Sequence, residues 1–269
     1  MTFDEKYFDV GRLDRLSYQS TCVHQLDPRA KVVATVLFLF TVISFPKYEV
    51  GGLIPFFLFP VLLMTMGEIP FLFVVKKVLF VSPFAIFIGI FNPLLDTGTV
   101  AVIAGMPISA GWISFVSIIL KFSLTISAAI LLVATTSFPG VCHALRQLGF
   151  PSLFTSQLLF LYRYLFVLME EAMRIIRARD MRAFGTRGTG IKVFVRLIGI
   201  LFLRTVDRAE RVYYAMLSRG FQGDMPSLRK SRIAMTDMAF MATMITFLVV
   251  FRFFPVTEEV GRFTQELFR

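Results

Sequence analysis

Between Ala215 and Gly223 the chain reads Ala-Met-Leu-Ser-Arg-Gly-Phe-Gln-Gly, at the end of a long amphipathic stretch. Gly220 and Gly223 can adopt left-handed backbone conformations at no Cβ penalty, so they are expected to end the helix and leave Arg219 at its C-terminal tip, between Ser218 and Gly220. The same arrangement of arginine, small residue, phenylalanine and nearby glycine occurs about 37 residues earlier, as Arg182-Ala183-Phe184-Gly185. One such terminal arginine is accounted for by the helix macrodipole or by anionic lipid headgroups. A repeated pair reads as a device for docking onto something acidic or grooved.

Other chemistry is poorly supported. Cys22 with His24, and Cys142 with His143, offer thiolate and imidazole donors of the kind transition metals take. Both pairs fall in stretches placed on the cytoplasmic side, and Cys142 and His143, adjacent on a helix, point about 100° apart. No metal site, cofactor or disulfide is expected. The chain has no Gly-x-x-x-x-Gly-Lys-Ser/Thr loop, no Gly-x-Ser-x-Gly elbow and no His-Glu-x-x-His motif, so no catalytic residue is assigned and any ATP must be hydrolysed in trans. Tyr213, Tyr214 and Phe221, interleaved with basic residues, read as core or lipid-interface aromatics, and no nucleic acid is expected.

The elements that hold the arginines are helices. From Pro151 to about Arg182, Leu158, Leu161, Leu165, Met169, Ala172 and Ile176 follow steps of three and four, while Arg163, Glu170, Arg174 and Arg177 fall on another face. Glu170 and Arg174 are spaced to pair. This helix is about 45 Å long. Gly185-Thr186-Arg187-Gly188-Thr189-Gly190 breaks the chain before a second helix, from about Ile191 to Arg219. Ile198, Phe202, Thr205, Ala209, Val212 and Met216 mark one of its faces, and Arg196, Arg204, Arg208 and Arg211 another.

Composition puts these helices in a membrane protein. Apolar residues make up 56% of the chain, 32 of its residues are phenylalanine, and mean hydropathy is +0.73, outside the soluble range. Sixteen Lys and Arg against six Asp and Glu lie between Ser137 and Arg232, an excess equal to the whole chain's charge of +10. Spans able to cross about 30 Å of hydrocarbon are expected at Val32–Phe45, Gly51–Met66, Phe71–Phe91, Trp112–Thr136 and Ile233–Phe254. Pro55 and Pro60 leave the first two open to a kinked pair or a re-entrant segment, so four or six spans remain alternatives. The acidic N-terminus (Asp4, Glu5, Asp9, Asp14) has no basic n-region, and the first apolar segment is expected to be retained.

Arg29, Lys31, Lys76, Lys77, Arg146, Arg229, Lys230 and Arg232 fall on one side of a five-span chain, and Lys47, Asp96 and the tail after Arg252 on the other. By the positive-inside rule the first side is cytoplasmic. The organisation expected is a cytoplasmic N-terminal segment (1–31), four spans (32–136), cytoplasmic coupling helices (137–232), a fifth span (233–254) and an extracytoplasmic tail (255–269). Lys121 and Asp237 are charges inside spans, readable as part of a polar path or an interhelical pair, or as snorkelling and interfacial groups.

These residues resemble the transmembrane T components of energy-coupling factor transporters, and within them the CbiQ-like subunits of cobalt uptake systems. The resemblance covers most of the chain, including Leu13-Asp14-Arg15-Leu16-Ser17-Tyr18-Gln19-Ser20 and Leu26-Asp27-Pro28-Arg29-Ala30-Lys31. The family carries two short Ala-Arg-Gly-type motifs on coupling helices. Ser218-Arg219-Gly220 matches the second with serine for alanine, and the first is either Ala178-Arg179-Asp180 or Met181-Arg182-Ala183. The resemblance implies an all-α polytopic protein of the bacterial inner membrane. Two ABC ATPases (CbiO-like) would hydrolyse ATP, and a separate S component (CbiM-like), with a small accessory membrane subunit (CbiN-like), would capture the metal. Arg219, with Arg179 or Arg182, would insert into a groove on each ATPase. A T component for nickel, biotin or another vitamin is the alternative within the class. A membrane-embedded lipid-acting enzyme or scaffold is the alternative outside it.

Overall fold

The computed structural model describes residues 16–95, 99–103, 106–182, 190–222 and 234–253. Leu13 to Arg15, Asp96, the glycine-rich break from 183 to 189, Gly223, Arg229, Lys230, Arg232 and the tail lie outside the described residues. The chain divides into two compact units, Leu13–Ser137 with Ser231–Arg269, and Phe138–Lys230 with Met1–Arg12.

The first unit is a bundle of apolar helices. A short helix, α1 (Cys22–Gln25), precedes α2 (Pro28–Ile43), a 3-10 segment (Gly51–Phe57), α3 (Leu58–Met66), α4 (Phe71–Gly89) and α5 (Phe91–Leu95). Then come β1 (Thr99–Ile103), β2 (Met106–Ser109), α6 (Ala110–Thr136) and, after the second unit, α10 (Met235–Phe253). The two strands pair antiparallel, Thr99 opposite Ser109. This hairpin is an addition to the all-α architecture the sequence implies.

Proline placement explains the irregular second segment. Pro55 sits in the 3-10 stretch, and Pro60 sits in the first turn of α3, where its missing N–H leaves no intrahelical bond unmade. The core is built on Phe38, Leu53, Phe56, Leu124 and Leu131, all fully buried, with Phe38 and Phe59 rings 4.5 Å apart. Packing of α4 against α6 depends on a missing side chain: a Cβ on Gly89 would lie 2.8 Å from the Phe115 ring. Phe80, Phe84 and Phe87 on α4 point outward, which a lipid environment accepts because hydrocarbon does not drive apolar groups inward.

Directions follow from contacts at the ends of α2. At its start, Lys31 Nζ donates to the Thr135 carbonyl at 2.8 Å. At its end, Lys121 Nζ donates to the Phe45 carbonyl at 2.5 Å. The two contacts are equally spaced along both helices, so α2 and α6 run antiparallel. The Asp27 N–H donates to Asp237 Oδ1 at 2.8 Å, and Arg252 Nη2 donates to the Ser44 carbonyl and hydroxyl at 3.3 Å, so α2 and α10 run parallel.

By length and hydropathy four described helices could cross a membrane: Phe71–Pro93, Ala110–Thr136, Ser152–Arg182 and Met235–Phe253. Gly51–Met66 is shorter, and α2 has 16 residues. The sequence reading instead counts both short segments as spans and keeps Ser152–Arg182 out of the membrane.

The second unit comprises α7 (Phe138–Gln147), α8 (Ser152–Arg182) and α9 (Ile191–Leu217). The expected long helices are present, within two residues of the expected bounds. Phe138 of α7 stacks on Tyr162 of α8, with ring centroids 4.9 Å apart. Arg204 of α9 pairs with Glu171 of α8, and Glu170 pairs with Arg174 at 3.4 Å on the exposed surface, as its spacing predicts.

The expected apolar face of α8 is met in part, with Leu158, Met169, Ala172 and Ile176 half-buried. Leu161 and Leu165 are exposed, whereas Leu153, Gln157, Phe160, Tyr164 and Leu168 line a groove shared with α9. The first half of α8 is apolar on every side, so periodicity alone does not select a face. On α9 the expected face holds in its C-terminal half, where Thr205, Ala209, Val212 and Met216 line the groove, and fails at Ile198 and Phe202, which are exposed.

Candidate functional site

The end of α9 is fixed by backbone geometry. Gly220 has φ +79°, a conformation that opposes any side chain, and nothing lies within 4 Å of where its Cβ would be. Glycine is needed here for its backbone and not for close packing. The Gly220 N–H donates to the Leu217 carbonyl at 2.9 Å and the Phe221 N–H to the Met216 carbonyl at 3.0 Å, the paired closure of a Schellman end. Phe221 and Met216 also line one groove, the hydrophobic contact that usually accompanies this end.

Two further bonds hold the residues around the arginine. The Ser218 hydroxyl donates to the Tyr214 carbonyl at 2.9 Å, and the Arg219 N–H donates to the Met216 carbonyl at 3.0 Å. The Arg219 side chain is exposed. The result is a fixed helix end with an exposed guanidinium.

Helix α7 ends in the same way: Gly149 has φ +99°, and the Phe150 N–H returns to the Leu145 carbonyl at 3.2 Å. A glycine followed by phenylalanine is therefore a helix stop used twice in this unit, and what distinguishes the α9 end is the arginine before it.

At the end of α8 the two alternatives for the first motif differ. The Arg179 guanidinium is engaged by the Asp180 carboxylate through both Nε, at 2.9 Å, and Nη2. Arg182 is exposed and makes no hydrogen bond or ion pair with the described residues. Ala178 is half-buried. Ala183, Phe184 and Gly185 lie outside the described residues.

A second polar constellation, in the other unit, involves groups that sequence reading treats singly. The Asp27 side chain accepts from the Arg29 N–H at 2.9 Å, capping α2, with Pro28 at the first helical position. Asp237 Oδ2 accepts from the Ala234 N–H at 2.8 Å, the acidic half of a capping box, while its other oxygen holds the Asp27 N–H. Both carboxylates are buried. Lys121 and Asp237 each bond a backbone group at one end of α2.

Lys31 is the residue sequence reading missed. Placed just before the first span as a topogenic charge, it lies inside the first turn of α2, only 4% exposed. There it caps the C-terminal carbonyls of α6, where a cation also opposes the helix dipole. It also reaches the His24 carbonyl at 3.4 Å, and backbone carbonyls such as these have no residue-type signature.

Of the residues weighed as metal donors, His24 shares a hydrogen bond with the Thr21 hydroxyl at 2.7 Å, and the Gln147 amide lies 2.8 Å from His143 Nε2. Cys22 is exposed and Cys142 buried. Burial pushes the Cys142 thiol up from its ordinary value, holding it protonated and unreactive. No group of three metal-capable side chains occurs among the described residues.

Comparison with known proteins agrees with this architecture. Residues 19–231 match the family model described as "CbiQ: Cobalt transport protein". An uncharacterized protein of Methanocaldococcus jannaschii is 30% identical over 260 residues, covering 92% of this chain and 85% of the relative. The cobalt transport protein CbiQ of Salmonella typhimurium is 32% identical over 100 residues, 37% of this chain and 44% of its own length. The energy-coupling factor transporter transmembrane protein EcfT of Macrococcus caseolyticus is 28% identical over 226 residues, 75% of this chain and 81% of its own. With its apolar helices, this chain is a multi-pass membrane protein that belongs to the CbiQ family and is a T component of the energy-coupling factor transporter class.

Proposed function

We propose that this chain couples ATP hydrolysis on two ABC ATPases (CbiO-like) to cobalt uptake through a separate substrate-binding membrane subunit (CbiM-like), assisted by a small CbiN-like subunit. The observation that carries the reading is Arg219, exposed at a helix end that a positive-φ glycine and a Schellman closure make rigid. Arg182 is its counterpart at the end of α8. Each guanidinium enters a groove on one ATPase and donates to acidic and carbonyl groups there. Closure of the ATPase pair on ATP moves α8 and α9, and that motion reorients the substrate-binding subunit. The cobalt assignment is supported by the family description and by the Salmonella relative.

Sidedness is part of the proposal. Because α6 is antiparallel to α2 and α10 parallel to it, the end of α6 and the start of α10 lie at one membrane face. The intervening chain therefore crosses an even number of times. Helix α9, with Arg204, Asp207, Arg208, Glu210 and Arg211 in its middle, is too charged to cross, so α8 does not cross alone and both helices belong to the cytoplasmic side. Between α2 and α6 the same parity makes Gly51–Met66 cross along with α4, giving five spans in all.

The test is purification of the tagged chain from its native membrane in mild detergent, as wild type and Arg219→Glu, with mass spectrometry of what accompanies it. An ATP-binding-cassette ATPase with wild type and its loss in Arg219→Glu is the expected result. Retention of the ATPase and normal ATP-dependent uptake by Arg219→Glu overturns the docking role.

A further inference from the structure

Between α8 and α9 an apolar groove of about 650 Å³ is walled by Leu153, Phe160, Tyr164, Val212 and Met216. It continues into a polar pocket of about 380 Å³. Leu168, Thr205 and Arg208 line both, so the two form one trough with an apolar end and a charged end. The charged end presents Arg174, Arg204, Arg208 and Arg211 against Glu171 and Asp207, two positive charges in excess. Glu171 is already held by Arg174, at 3.5 Å, and by Arg204. Half-buried Arg208 is attracted by the Glu171 charge but, like Arg211 one turn on, makes no hydrogen bond or ion pair to the described residues.

We infer that this trough is a binding site for an anionic phospholipid, with an acyl chain along the apolar groove and the headgroup phosphate on Arg208 and Arg211. The charge order carries the assignment. A neutral amphiphile leaves the two excess positive charges unbalanced, a free anion leaves the groove empty, and a purely apolar partner helix brings no acceptor to half-buried Arg208, whereas one anionic lipid satisfies both ends. A helix with arginines beside a wall of leucine, phenylalanine and tyrosine is also of the composition that lies in a headgroup interface. The lipid is a bound ligand that fills the space between the two helices, not a substrate. It uses neither Arg219 nor Arg182, so it stands or falls separately from ATPase docking.

The experiment takes the full chain in neutral detergent and follows its thermal unfolding with added dioleoylphosphatidylglycerol, dioleoylphosphatidylcholine or inorganic phosphate. Phosphatidylglycerol is expected to raise the transition temperature of wild type, and Arg208→Ala with Arg211→Ala to abolish the rise. An equal rise with phosphatidylcholine, or with inorganic phosphate alone, overturns the inference. Should the double variant fail to fold, photocrosslinking of wild type with a diazirine-tailed phosphatidylglycerol decides: adducts on 153–168 and 205–216 are expected, and adducts confined to the α4 and α10 faces overturn it, as does a groove crosslinked to a protein partner instead.

Discussion

Asp237, the third residue of α10, holds the backbone N–H of Asp27, the N-cap of α2, at 2.8 Å across 210 residues of sequence. One carboxylate thereby caps its own helix and locks the start of another. Removing it leaves two N–H groups without an acceptor, at least one of them buried. Asp237→Ala is expected to cost about 2–4 kcal/mol of stability. Asp237→Asn keeps one acceptor oxygen and is expected to cost about half as much. Unfolding of the purified chain in one detergent checks the order; equal stability of Asp237→Ala and wild type would refute the lock.

Lys31 allows a similar test at the opposite pole of the same contact region. Lys31→Met keeps the stem volume and loses the ammonium's bonds, those to the Thr135 and His24 carbonyls among them, an expected cost of about 1–3 kcal/mol. Lys31→Ala adds a cavity and is expected to be worse. If Lys31→Met is as stable as wild type, the buried ammonium contributes no net stability, as happens when desolvation offsets the attraction.

The two long helices and the stop of α9 were legible because their signals are local: a 3.6-residue period, a Glu170–Arg174 step, and Gly220, where φ must be positive. The groove face of α8 was not, since Leu153, Leu161, Leu158, Phe166 and Leu159 fall at about 0°, 80°, 140°, 220° and 240° around the helix, and only packing chooses among them. The clamp around α2 was not legible either. Lys31, Lys121 and Arg252 bond backbone carbonyls of Thr135, Phe45 and Ser44, and a carbonyl acceptor leaves no mark in residue type. The hairpin at Thr99–Ser109 is too short to show a period.

His24 gives a pH signature. Burial lowers its pKa below the ordinary 6.5, and the positive charge of Lys31 pushes the same way, while the Ala134 and Leu16 carbonyls pull against both. The folded chain thus binds this proton less readily than the unfolded chain. The contribution to stability is present above about pH 6.5 and is lost as pH falls through the lowered folded value. His24→Gln is expected to flatten the stability profile between about pH 7 and 5. An unchanged profile would show that another group controls it.

The two cysteines report accessibility and sidedness together. Cys22 is exposed, and Cys142 is 1% exposed with its thiol held protonated. A maleimide at neutral pH is expected to label Cys22 at least about tenfold faster in the folded chain, with denaturant removing the difference. In sealed cells an impermeant maleimide is expected to leave both unlabelled until the membrane is opened, and rapid labelling of Cys22 from outside would reverse the proposed orientation.

The first coupling arginine is decided by comparing three substitutions. Arg179 already has a carboxylate partner in Asp180, so transfer to an ATPase groove must first break that pair, whereas Arg182 is exposed and has no described partner to leave. Surface pairs of this kind are worth about 0–1 kcal/mol, a small barrier, so sequence position matters as well: Arg182 stands before Ala183-Phe184-Gly185 as Arg219 stands before Gly220-Phe221. Arg182→Glu is expected to weaken ATPase retention and uptake as Arg219→Glu does, and Arg182→Glu with Arg219→Glu to detach both ATPases. Arg179→Glu is expected to leave retention within about twofold of wild type. The reverse ranking, with Arg179→Glu detaching an ATPase and Arg182→Glu silent, would assign the first motif to Ala178-Arg179-Asp180 and make the Asp180 contact a latch that opens on assembly.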